Sequence, residues 1–154
     1  MAKYCFDTGA FIEGWVRYYP KDTFPSLWTN IEQMIDCGDI LCPDEVLQEL
    51  QHKEDDLYKW AKTRKHLFYS IDNDLQVTVR QILVEFPRLT DTKSFRSHGD
   101  PFVIALAKIT NRTVVTSEKN KGNGTIPHIP YVCQHYSIRC ITLLQFIREQ
   151  KWNF

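Results

Sequence analysis

The chain has 154 residues, 43% of them hydrophobic and 25% charged, which suits one folded domain and excludes a disordered chain. Its 19 Lys and Arg balance 19 Asp and Glu, so the formal net charge is zero. That balance excludes the basic coat of a DNA-packaging protein, while an acidic centre offset by basic residues elsewhere is compatible with it. The cysteines, Cys5, Cys37, Cys42, Cys133 and Cys140, are odd in number and form no C-x-x-C pair. A disulfide scaffold or zinc ribbon would show tighter, paired spacing, so the expectation is reduced, mostly buried thiols in a cytoplasmic protein. The opening segment carries Asp7 and Glu13, and no apolar run approaches the roughly 18 residues of a membrane span. Neither a signal peptide nor a membrane partner is expected.

In chain order, residues 3–6 read as a short buried strand closed by the polar turn Asp7-Thr8-Gly9. Residues 10–15 begin a short helix, and Pro20 and Pro25 bracket a loop. Over 26–37, Leu27, Ile31, Met34 and Ile35 recur at helical spacing until Cys37-Gly38-Asp39 stops them, and 40–42 form a second strand. Pro43 sits where a helix can start, and 44–50 continue it, with acids in the first turn where the helix dipole favours them. Residues 57–67 are charged and helical; 75–86 repeat Leu75, Val79, Ile82, Leu83 and Phe86 before Pro87 ends the pattern. A polar loop over 88–99 leads to a helix at 101–110, with Pro101 in its first turn and Asp100 near its cap. The β-branched run 113–116 is a third strand, 119–125 a Gly/Asn/Lys loop, 129–136 a helix, 139–142 a fourth strand and 143–150 a last helix. Strands alternating with helices predict an α/β domain with a mainly parallel sheet covered on both faces. Ligands of such sheets sit at the carboxyl ends of the strands, where Asp7 and Glu118 fall, just past the first and third strands.

Four acids stand out. Asp7 directly follows Tyr4-Cys5-Phe6, so its charge lies close to the core, where an unpaired carboxylate is costly. Glu45 and Glu49, spaced i, i+4, share one face of the early helix. Asp100 opens an almost wholly apolar helix, and Glu118 closes the run Val114-Val115-Thr116-Ser117-Glu118. Each has a structural alternative: Asp7 and Asp100 as helix caps, Glu49 and Glu118 as solvated surface charges. Cations flank the acids: Arg96 precedes Asp100, and Lys119 and Lys121 follow Glu118, placed either for phosphate contacts or as solvated loop charges. His98 has the same two readings. Trp15, Trp28 and Trp60 are candidates for core or for a subunit interface.

The order of these pieces is Asp-Thr-Gly-Ala-Phe-Ile after a strand, Glu-Leu on an early helix, Gly-Asp before an apolar helix, then Val-Val-Thr-x-acid. In that order the sequence resembles the PIN-domain nucleases over most of its length, in a subgroup without an assigned function. The resemblance implies a three-layer α/β/α PIN-like fold and a metal-dependent endoribonuclease. Asp7, Glu49, Asp100 and Glu118 would be the catalytic and metal-holding residues, Mg²⁺ or Mn²⁺ the cofactor, and Arg96, Lys119 and Lys121 the RNA contacts. It also implies a homodimer and, as in many members of this size, the toxin half of a toxin–antitoxin pair with an antitoxin protein as partner. The alternative is a PIN-like binding or scaffolding module without catalysis. Two positions depart from the family pattern: Glu118 stands where Asp is usual, and Gly9 where a hydroxyl residue is common. Glu45 competes with Glu49. A phosphatase or phosphotransferase using Asp7 as nucleophile would be favoured by D-x-D, which Gly9 breaks.

Overall fold

The computed structural model describes residues 2–53, 55–89, 99–119, 122 and 127–154. Along the chain run β1 (Tyr4–Phe6), α1 (Thr8–Ile12), a π-helical stretch (Glu13–Tyr18), α2 (Pro25–Asp36), β2 (Ile40–Pro43), α3 (Asp44–Gln51), α4 (Asp56–Lys62) and β3 (Phe68–Tyr69). They are followed by α5 (Asn73–Glu85), α6 (Asp100–Thr110), β4 (Thr113–Val115), α7 (Ile129–His135), β5 (Cys140–Ile141) and α8 (Leu143–Gln150). The protein is an α/β fold with one five-stranded sheet of order β3-β2-β1-β4-β5, and every strand pair is parallel.

Side-chain alternation along β1 shows how the sheet is covered on both faces. Tyr4 and Phe6 point one way, where Phe146 of α8 meets both rings edge-on at 4.8 and 5.0 Å and Phe11 of α1 lies 5.1 Å from Phe6. Cys5 points the other way, its thiol donating to the Val103 carbonyl of α6 at 3.6 Å. With both faces covered, the central strands β1 and β4 are buried at every residue rather than alternately, as Tyr4-Cys5-Phe6 and Thr113-Val114-Val115 illustrate. Trp15, Trp28 and Trp60 pack on one another at 5.0 to 5.4 Å, with Trp28 and Trp60 buried, so they belong to the core. The indole N–H of Trp28 donates to the Tyr19 carbonyl and that of Trp60 to Glu32.

Sequence pattern and structure agree on most elements and part at three places. The expected helix over 57–67 ends at Lys62, because the chain turns through Thr63 and Arg64 so that the Leu67 carbonyl receives the N–H of Cys42. That turn starts β3, a fifth strand of two half-buried residues at the sheet edge, too short to carry a periodicity. The short helix after Asp7 begins at Thr8 and widens into the π-helical stretch, in which the Tyr19 N–H reaches the Gly14 carbonyl at 2.7 Å. Asp100 is the first residue of α6 and does not cap it; Gly99 holds the cap position. The loops expected over 88–99 and 119–125 lie largely outside the described residues. All five cysteines are free thiols, with Cys5, Cys42 and Cys133 buried and Cys37 exposed. Among the described residues no helix is long and apolar enough to cross a membrane.

Candidate functional site

The strand order decides where a site can form. The chain winds from β1 outward to β2 and β3, then returns to the other side of β1 for β4 and β5. Right-handed crossovers on the two sides put their helices on opposite faces, which leaves a crevice beyond the carboxyl ends of β1 and β4. Asp7 follows β1 and Thr116-Ser117-Glu118 follow β4, so both flank this crevice. Parallel pairing of Phe6 with Val115 brings the next residues side by side, and the Thr116 hydroxyl donates to Asp7 Oδ2 at 3.0 Å. The Glu118 N–H in turn donates to the Thr116 hydroxyl at 3.2 Å, which ties the Glu118 turn to Asp7.

Asp100 enters from α6. This helix runs back across the sheet before β4, so its first residue lies at the same edge as Asp7, and each retains only 5% exposure. Glu49 comes from the second turn of α3. A side-chain carbon at Gly99 would lie 1.9 Å from Glu49 Oε1, so the absence of a side chain there makes room for this carboxylate beside Asp100. Glu118 has one oxygen committed: Oε2 accepts the Ile129 N–H at 2.8 Å, with His128 Nδ1 4.0 Å away.

Electrostatics bind the four acids into one group. Burial raises the Asp7 pKa to about 7, with the charge of Glu118 adding to it; the Thr116 bond and the N–H groups of Thr8 and Gly9 pull the other way. Asp7 stands at the cap position of α1 without a side-chain cap hydrogen bond. Burial also pushes Asp100 well above the usual carboxylate range, helped by the charges of Asp7, Glu118 and Glu49. Glu118 is raised by burial and held down in part by the Ile129 N–H. Among the described residues no Lys, Arg or His forms an ion pair with Asp7 or Asp100.

Glu45, the competitor of Glu49, is also raised by burial, and both its oxygens are buried without a hydrogen-bond partner among the described residues. The field at Asp100 nevertheless includes Glu49 and not Glu45, which favours Glu49 as the member of the group. Lys119 is exposed directly beyond Glu118. Arg96, His98 and Lys121 lie outside the described residues.

Could these side chains hold a metal? Among the described residues no three His, Cys, Asp or Glu side chains converge as a ready-made shell. The donor chemistry still fits a hard cation: Asp7 and Asp100 are buried carboxyl groups without a cationic partner among the described residues, and all four acids offer oxygen. Mg²⁺ keeps much of its water and is held by one or two carboxylates together with substrate phosphates, so a closed protein shell is not required. Thr116, Gly99 and the Ile129 N–H are contributors that lone-residue reasoning did not single out. Of these, only Thr116 had a signal in the sequence, through the Val-Val-Thr-x-acid run.

A groove of about 520 Å³ opens at the opposite, amino edge of the sheet, lined by Tyr4, Met34, Cys37, Asp39, Glu149 and Trp152 among others; none of the four acids lines it. The chain belongs to the family described as Domain of unknown function (DUF4411), which it matches over residues 4–154. No curated protein matches it.

Proposed function

We propose that this protein is a metal-dependent endoribonuclease of the PIN-domain superfamily, acting through Asp7, Asp100, Glu49 and Glu118 with Mg²⁺ or Mn²⁺. The observation that carries the reading is the pair Asp7 and Asp100. They are buried at the crevice between β1 and β4, lack a cationic partner among the described residues, and are raised by burial and by neighbouring acids. A protein spends stability to keep two carboxylates in that state, and a bound divalent cation would offset the cost. When bound, the cation activates water and stabilises charge developing on a phosphodiester.

The chain's own residues hold the acids in place. Thr116 fixes Asp7 Oδ2, the Ile129 N–H fixes Glu118, and the bare backbone at Gly99 seats the Glu49 carboxylate. Lys119 at the rim, with Arg96 and Lys121, is proposed to take RNA phosphates. The proposal extends to a toxin of a toxin–antitoxin pair, acting as a homodimer and blocked by an antitoxin protein that covers the acids.

A second reading, a binding or scaffolding module without catalysis, is favoured by the commitment of Glu118 Oε2 to α7 and by the absence of a ready-made shell among the described residues. One experiment separates the two. Cleavage of structured and unstructured RNA is measured with Mg²⁺ and with Mn²⁺ for the wild type, Asp7→Asn and Asp100→Asn. Cleavage by the wild type and its loss in both variants is expected. A wild type inert with either metal, or variants of full activity, would leave the binding module standing.

A further inference from the structure

Gly9 lies in α1, and Ser117 lies in the turn beyond β4. A side-chain carbon at position 9 would stand 2.3 Å from Ser117 Oγ, 3.3 Å from Asp7 Oδ2 and 3.4 Å from Ser117 Cβ. The first distance is far inside van der Waals contact. The Ser117 hydroxyl therefore fills the place that a side chain on α1 would take, at the flank of the buried Asp7 carboxylate. The neighbouring hydroxyl is already spent: Thr116 Oγ1 donates to Asp7 and accepts the Glu118 N–H. Ser117 Oγ takes part in neither bond. It is half-exposed, so water and ligand can reach it.

We propose that Ser117 is a ligand-facing positioning residue of the acid pocket, its hydroxyl seated in the side-chain-free space at Gly9 and hydrogen-bonding the hydration shell of the cation beside Asp7. This rests on the metal reading of the site given above. A hydroxyl suits the task because it donates and accepts at once, bridging a carboxylate and ordered water. Gly9 and Ser117 then form one functional unit: the α1 position gives up its side chain, and the β4 turn supplies the hydroxyl.

The unit is tested by a mutant cycle with two readouts, neither of them catalysis. The first is thermal melting in EDTA. Gly9→Ala should lower the Tm by roughly 2–4 °C when Ser117 is present. In the Ser117→Ala background the same change should leave it unchanged or raise it, because Ala is the better helix former and the clashing oxygen is gone. The second is Mn²⁺ binding followed by calorimetry. Ser117→Ala and Gly9→Ala should each weaken Mn²⁺ about tenfold. The exchanged pair Gly9→Ser with Ser117→Ala should recover most of that loss, since the hydroxyl then comes from α1. Gly9→Ala melting alike in both backgrounds overturns the seating. Wild-type binding of Mn²⁺ that Ser117→Ala matches overturns the role of the hydroxyl and leaves the metal reading intact. A wild type that binds no Mn²⁺ removes the metal reading, and this inference with it.

Discussion

The two edges of the sheet treat charge in opposite ways. At the amino edge, Arg139 is bonded to Glu149, which also accepts the Tyr4 hydroxyl at 2.7 Å, and the Gln150 amide donates to that same hydroxyl at 3.0 Å. Arg112, ahead of β4, donates to the Tyr4 carbonyl at 3.4 Å and feels the charge of Asp39. Here acids and bases answer each other. At the carboxyl edge, burial raises Asp7, Asp100 and Glu118, the charge of Glu118 adds to the rise of the other two, and no side-chain cation among the described residues pairs with Asp7 or Asp100. One end of the same sheet is internally compensated; the other leaves the Asp7 and Asp100 carboxyl groups without a side-chain cation among the described residues. The difference teaches that acidic residues alone do not mark a site. Glu149 carries the same carboxyl group as Glu118, but the chain supplies it with a guanidinium, that of Arg139.

The contrast is broken most directly by neutralising one acid at each edge. On the nuclease reading, Asp100→Asn should lower Mn²⁺-dependent RNA cleavage by about 100-fold or more, and Glu149→Gln should leave it within roughly twofold, measured as initial rates. Equal losses from both would remove the distinction between the edges.

The next effect is on stability. Folding raises the Asp7 pKa from 3.8 to about 7, so between those values the folded chain holds more protons than the unfolded one. Its contribution is fully present below 3.8 and is lost as pH rises through about 7. Metal-free wild type should therefore lose stability from pH 5 to 7.5, on the order of 2–4 kcal/mol for a shift of this kind. Asp7→Asn should show a visibly flatter profile in denaturant melts. An identical slope in the two proteins would mean that Asp7 carries no such load.

A smaller change is expected at Gly99. An alanine there places its methyl 1.9 Å from Glu49 Oε1, and the flexible end of the Glu side chain can yield. Gly99→Ala should fold with little loss of Tm yet bind Mn²⁺ roughly tenfold more weakly. Retained affinity would show that Glu49 does not serve the cation. The smallest effect belongs to the amino edge: Arg139→Ala, at a largely exposed pair, should cost less than about 1 kcal/mol in urea unfolding.

Much of the fold was legible in the sequence because burial on both sheet faces leaves a plain signature, short apolar strands between amphipathic helices. α8 was read to the residue, and in the structure Thr142 and Gln145 form a reciprocal capping box at its start. β3 was missed because Phe68 and Tyr69 are too few to set a period, and the charged helix before them masked the turn. For the site, the sequence showed which acids follow strands or open helices. It did not show what lies across space from them. The contacts of Gly9 with Ser117 and of Gly99 with Glu49 join distant segments through atoms that are absent, and no local pattern reports a missing side chain. Nor did it show that Glu118 would be shared with the first N–H of α7.

The bond from Thr116 to Asp7 spans 109 positions of sequence. During synthesis, Asp7 leaves the ribosome well before Thr116 and stays without its neighbour until β4 has followed. β1 can pair with β2 long before that, but the crevice needs the strand on its other side. A chain that stops short of β4 thus has half a pocket at most, and whatever the acids do begins only after β4 has been made.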